Sequence, residues 1–264
     1  MSDKTIPHRE VVEVARQAGD RIMDIYQRDF AVEEKADRSP LTEADLAAHQ
    51  HIQQSLSALT PHIPILSEES GGIDWETRRH WSEYWLVDPL DGTKEFIKKN
   101  GEFTVNIALV KNGQPIWGVV LAPALGWAYF GGTAVGGSVK QAAGVEQAIS
   151  VAVLPKSKNG WCIIGSRSHQ SDAFSAFISQ FDQPEITAMG SSLKICLIAE
   201  GRAHLYPRLG PTCEWDTAAA HAVLNGAGGK IVSADDHRVL RYNAQESLLN
   251  PFFIAAPRDY APAD

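Results

Sequence analysis

The 264-residue chain holds only three cysteines, Cys162, Cys196 and Cys213, and no Cys-x-x-C pair. That scarcity excludes a disulfide-built scaffold and a cysteine-rich zinc centre, and it fits a reducing cytoplasm. Long apolar runs are missing too, since none approaches the roughly 18 residues of a membrane span. The first ten residues carry Asp3, Lys4, His8, Arg9 and Glu10 instead of an apolar core behind a basic end, so no export signal is predicted. Positive charge is in deficit, with 24 Lys+Arg against 32 Asp+Glu and a net charge of -8. A nucleic-acid polymer would meet net repulsion. A small phosphate ester stays open, because acids clustered around divalent cations reverse the local field.

Several catalytic signatures are absent as well. Gly131-Gly132 and Gly136-Gly137 lack the Lys-Ser/Thr that follows a P-loop and read as a hairpin or linker. The nine histidines show no metalloprotease spacing, and no Gly-x-Ser-x-Gly elbow is present.

What is present is an ordinary globular composition, 44% hydrophobic and 21% charged, long enough for one large domain or two intimate ones. Val11, Ala15, Ala18, Ile22 and Ile25 recur at four- and three-residue steps and predict a helix over about 8–28. A second is predicted from Thr42, carrying Ala48, Ile52, Leu56 and Leu59, with Pro61 ending it. The polar stretch between them, Ala31 to Leu41, reads as an extended excursion. Short apolar runs at 63–66, 84–87, 104–110, 116–121 and 127–130 predict strands in an antiparallel meander. After a Gly/Ala-rich stretch from Gly131 to Gly144 the pattern becomes strand and helix in alternation, with a strand at 161–165 and helices at 170–180, 191–200 and 214–225. A boundary near residue 150 is expected, with an N-terminal α+β subdomain (1–150) carrying most of the candidate ligands. The C-terminal α/β subdomain (151–264) would carry Asp216 and the Gly190 to Lys194 segment.

The chemistry rests on scattered acids. In Trp85-Leu86-Val87-Asp88-Pro89-Leu90-Asp91-Gly92-Thr93 an acid at a strand end is followed by proline, a second acid and a helix start. A proline turn there would bring both carboxylates to one point, where the Leu90 carbonyl can join them. Magnesium takes oxygen ligands in near-octahedral geometry and keeps some waters, so a few fixed carboxylates with an open side suit it. A helix opening near Gly92 would offer a phosphate its free N–H groups. Glu68-Glu69 follow a predicted strand, Trp215-Asp216 precede a small-residue helix, and Asp45 lies in Thr42-Glu43-Ala44-Asp45. Each has an ordinary structural reading beside this one: an Asp-Pro turn, a solvated acidic loop, a helix cap and a capping box. Their conjunction is what points to a distributed metal site.

The run from Asp88 to Thr93, with Glu68-Glu69 before it and Trp215-Asp216 far downstream, resembles the inositol monophosphatase superfamily of lithium-sensitive sugar and nucleotide phosphatases, over nearly the whole chain. The resemblance implies a layered αβαβα sandwich with two intimately packed subdomains. It also implies Mg²⁺, two or three ions, held by Glu68, Asp88, the Leu90 carbonyl, Asp91 and Asp216, with inhibition by Li⁺. Direct hydrolysis is the implied chemistry, with Glu68 helping to activate water that Thr93 and Asp45, a hydrogen-bonded pair, orient. The Thr93-Lys94-Glu95-Phe96-Ile97 continuation, Gly190-Ser191-Ser192-Leu193-Lys194 and Tyr206-Pro207 resemble the members that act on adenosine 3′,5′-bisphosphate, or on its sulfated analogue, in sulfur assimilation. Substrate would then touch Glu68, Leu90, Asp91, Gly92, Thr93, Gly190, Ser191, Lys194 and Asp216. For Gly190 to Lys194 the alternative is a plain helix N-cap. Inositol monophosphate and fructose 1,6-bisphosphate remain rival esters, and a non-catalytic phosphometabolite-binding regulator is the rival of another class. The expected protein is a cytoplasmic monomer, with peripheral contact at the cytoplasmic face of the inner membrane left open.

Overall fold

The computed structural model describes residues 6–28, 32–34, 40–165 and 171–261. Helix α1 (His8–Tyr26) buries the predicted stripe of Val11, Ala15, Ala18, Ile22 and Ile25. Strands β1 (Val32–Glu34) and β2 (Pro40–Thr42) pair antiparallel in the polar excursion. Helix α2 (Glu43–Leu59) begins one residue after the predicted Thr42, which ends β2.

Seven strands form the main sheet in sequence order: β3 (Ile65–Ser67), β4 (Glu83–Asp91), β5 (Thr104–Lys111), β6 (Gln114–Ala122), β7 (Trp127–Gly132), β8 (Gly137–Ala142) and β9 (Val145–Ala148). Strand β3 runs parallel to β4, and the rest meander antiparallel. Short helices α3 (Trp75–Arg78) and α4 (Thr93–Ile97) lie in its connections. Because side chains alternate across a strand, a sheet covered on both faces needs apolar residues at nearly every position. Trp85, Val87, Ile107, Leu109, Trp117 and Val119 meet α1 and α2 on one face. Tyr84, Leu86, Ala108, Val110 and Val120 meet the helices of the second half on the other.

The Gly/Ala-rich stretch does not break this sheet but extends it. Gly131 and Gly132 end β7 against β8, and a Cβ on Gly132 would lie 2.3 Å from the Ile116 carbonyl. Gly136 turns the chain at φ 71°, a left-handed value that suits glycine. All four residues of β9 are exposed at the sheet edge, so the low hydrophobicity that hid these strands follows from their position.

The second half supplies β10 (Cys162–Gly165), α5 (Asp172–Ile178), β11 (Glu185–Ala188), α6 (Leu193–Ala199), β12 (Tyr206–Arg208), α7 (Ala218–Gly226), β13 (Gly229–Ser233) and β14 (Phe253–Pro257). Strand β14 lies between β12 and β13, while β10 pairs with β11 and bridges to Leu205 beside β12. Helices α6 and α7 fill the space between the two sheets. Phe174 of α5 joins Ile163, Val232 and Ile254 in the cluster on the far face of the smaller sheet. The stacking is therefore helices, sheet, helices, sheet, helix, the expected αβαβα sandwich.

Candidate metal and phosphate site

The strand that carries the first two acids does not turn at Pro89, as predicted, but runs on to Asp91 with a defect. Asp88 is opposite Asn106 and Asp91 opposite Thr104, so three steps on β4 match two on β5. In an unbroken strand, residues three apart point to opposite faces. The extra residue is a β-bulge, and it puts Asp88 and Asp91 on one face. Thr104 and Asn106, two apart on β5, share that face.

The other acids converge on the same end of the sheet. Glu68 follows β3 directly and its N–H donates to the Val87 carbonyl at 3.1 Å, beside Asp88. Asp45 is fully buried in the first turn of α2. Asp216 ends the tight turn Cys213–Asp216 ahead of α7. Burial pushes the Asp88 carboxyl well above the usual carboxylate range, and the charges of Glu68, Asp91, Asp216 and Asp45 add to the push. Asp216 is pushed up to about 7 by burial and then by Asp91. Asp88 and Asp216 thus lie close enough to neighbouring acids for their ionisation to be opposed, which a bound cation would relieve.

Hydrogen bonding holds three of the acids in place. Asp88 Oδ1 accepts the Leu90 N–H at 3.0 Å. Asp216 Oδ2 accepts the Cys213 N–H at 2.9 Å. Asp91 Oδ2 accepts the Ser191 hydroxyl and the Ser192 N–H, both at 2.7 Å. One oxygen of each carboxylate is pinned by the protein, and one ligand atom from each lies within 4.8 Å of the others. Oxygen donors of this kind fit a hard divalent cation.

The predicted residues that are not acids divide. The Leu90 side chain is buried, and its carbonyl is 3.5 Å from the Thr93 hydroxyl. Gly92, at φ 89°, caps the short α4. Asp91, Gly92, Ser191, Lys194 and Asp216 line a pocket of about 150 Å³. It adjoins a cavity of about 570 Å³ to which Glu95, Lys194, Tyr206 and Arg208 contribute as well. Gly190 lines the larger cavity, and a Cβ there would sit 2.7 Å from the Glu102 carbonyl, so glycine lets this segment close against the connection between α4 and β5. Lys194 Nζ is 5.9 Å from the centre of the Tyr206 ring.

Two participants escaped the sequence reading. Arg208, which follows Tyr206-Pro207, lines both spaces, and its Nε has no partner among the described residues. Ser192 stands beside the predicted Ser191 yet is buried. No spacing rule marks either one; they are found by where β12 and α6 begin and end.

With this geometry in hand, the chain belongs to the inositol monophosphatase family, whose profile matches residues 8–261. Over 246 residues it is 48% identical to the 3′(2′),5′-bisphosphate nucleotidase CysQ of Salmonella typhimurium, covering 92% of this chain and 97% of that protein. The CysQ of Haemophilus influenzae is 38% identical over 251 residues, 93% of this chain and 90% of the other. The crystal structure of CysQ from Bacteroides thetaiotaomicron superposes with a TM-score of 0.80 at 39% identity, covering 96% and 97% of the two chains. An inositol monophosphatase from Anabaena shares the fold, with a TM-score of 0.73 at 22% identity over 95% of this chain and 90% of that one.

Proposed function

We propose that the chain is a Mg²⁺-dependent 3′(2′),5′-bisphosphate nucleotidase that converts adenosine 3′,5′-bisphosphate to AMP and phosphate. The observation that carries this reading is the set of pinned carboxylates opening on a small pocket that continues into a larger, partly cationic cavity. The larger volume lies in the range of pockets that hold small ligands. The kinship with CysQ proteins supports the nucleotide as the ester.

Asp88, Asp91, Asp216, Glu68 and the Leu90 carbonyl would hold two or three Mg²⁺ ions. Bound there, the ions supply Lewis-acid activation of water and neutralise charge on the phosphoryl oxygens. The protein's own work is placement. Gly92 and Thr93 bracket the scissile phosphate, while Thr93 and Asp45 orient the attacking water, with Glu68 as the nearby base. Lys194 and Arg208, on the wall between pocket and cavity, meet the second phosphate, where an arginine fork grips two oxygens. Tyr206 offers a ring beside them. The proposed enzyme is a monomer acting in the cytoplasm on a small ester. Among the described residues no helix is long and apolar enough to cross a membrane.

Phosphate release should be measured on adenosine 3′,5′-bisphosphate, its sulfated analogue, inositol monophosphate and fructose 1,6-bisphosphate, each with Mg²⁺, with EDTA and with added Li⁺. The expected result is Mg²⁺-dependent release that is fastest from the adenosine bisphosphate and suppressed by Li⁺. Tight nucleotide binding with no release from any ester would replace the enzyme by a phosphometabolite-binding regulator.

A further inference from the structure

Ser192, which borders the small pocket, is 3% exposed and Asn106 is 1% exposed, so both side chains are almost wholly withdrawn from solvent. Both nevertheless point into the acid cluster. The Ser192 N–H donates to Asp91 Oδ2 at 2.7 Å, and its hydroxyl lies 3.0 Å from that oxygen and 2.6 Å from the Asp216 carbonyl. Asn106 Nδ2 donates to the Ser192 hydroxyl oxygen at 2.8 Å. A parallel path runs from the Thr104 hydroxyl through Ser191 to the same Asp91 oxygen.

Resting on the metal-site reading above, we infer that Ser192, held by Asn106, is a positioning residue that sets the Asp91–Asp216 geometry for the cation and does not bind substrate. A hydroxyl with one proton, 3.0 Å from one ligand residue and 2.6 Å from the other, fixes their separation. The amide of Asn106 supplies the donor that Ser192 needs as acceptor, leaving the serine proton for Asp91 or Asp216. Through the Ser192 hydroxyl, Asn106 and Asp91 on the β4–β5 bulge are both linked to the turn carrying Asp216. With Asp91 Oδ2 held by serine donors, no described hydrogen bond engages its Oδ1, which is left for the ion. Partners of metal ligands typically change metal affinity by 10- to 100-fold when removed.

The test measures Mn²⁺ binding, by electron paramagnetic resonance of the free ion, to the wild-type chain and to S192A, N106A and the double variant, without nucleotide. Thermal midpoints in EDTA check folding. The expected result is affinity about 10-fold weaker in each single variant, a double variant no worse than about either one, and a nucleotide KM that returns to the wild-type value at saturating Mg²⁺. N106A reads the same contact from β5 should S192A fold poorly. Unchanged Mn²⁺ affinity in both variants overturns the inference, as does a raised KM that excess Mg²⁺ does not restore. Because binding is read without substrate, wild-type Mn²⁺ binding with no hydrolysis of any ester would sink the nucleotidase reading and leave this inference standing.

Discussion

At the scale of single residues, the site combines groups that are costly to bring together with donors that hold them in place. Among the described residues, the hydrogen-bond partners of the Asp91 carboxylate are serine donors, with no neutralising cation. Asp91→Asn should therefore lower kcat by on the order of 10²–10³ or more. It should also leave the thermal midpoint in EDTA unchanged or raised, because one charge leaves a cluster of five acids. Melting curves with and without Mg²⁺ check this, since the variant should lose the metal-induced rise. Arg208 gives a different signature. With its guanidinium at the second phosphate, Arg208→Ala should raise KM for the bisphosphate by about 10- to 100-fold, the worth of a charge-assisted hydrogen bond. The KM for adenosine 3′-monophosphate should change far less. Equal changes in both would remove Arg208 from the reading of that phosphate.

At the scale of elements, the acids work together because secondary structure delivers them, and here legibility from sequence was uneven. The helical stripe of α1 and the apolar runs of β4 to β7 were readable because burial of a periodic face leaves its period in the residues. The bulge was not, because the hydrogen-bond register that makes Asp88 and Asp91 face the same way depends on β5, which the local residues do not encode. Strands β8 and β9 were hidden by their glycines and their edge position. Acid identities were legible from motif order, whereas Ser192, Asn106 and Arg208 required the packing of one half on the other. That packing rests on bare backbone. A Cβ on Gly118 of β6 would come within 2.5 Å of the Ala219 carbonyl on α7. Gly118→Ala should therefore push α7 off the sheet at a cost of about 1–3 kcal/mol. Because Ala219 lies a few residues beyond Asp216, the apparent Mg²⁺ affinity should fall with the thermal midpoint. Denaturant unfolding together with a Mg²⁺ titration of activity reads both, and an unchanged midpoint would show that the helix tolerates the shift.

At the scale of the whole molecule, α7 is the keel between the two sheets, and its central His221 is fully buried. The Nδ1 atom lies 3.0 Å from the Tyr242 hydroxyl, and that hydroxyl also meets Thr217. Nε2 has no partner among the described residues, so a proton added there would be a buried charge without an acceptor. Burial accordingly pushes the imidazole from 6.5 down to about 3. In the unfolded chain the same ring takes its proton near 6.5. Between these values the unfolded state binds more protons, so this contribution to stability is complete above pH 6.5 and is lost as the pH falls toward 3. By pH 5 the loss amounts to about 2 kcal/mol. The acid cluster also titrates, but it does so in the wild type and in His221→Asn alike, so the difference between them isolates the histidine. Asparagine keeps a polar group facing Tyr242 and cannot take the proton. The variant should be less stable than the wild type at pH 8, and the gap should narrow by about 2 kcal/mol at pH 5. Urea unfolding at the two pH values measures the gap, and a constant gap would mean that His221 is protonated in the folded chain as readily as in the unfolded one.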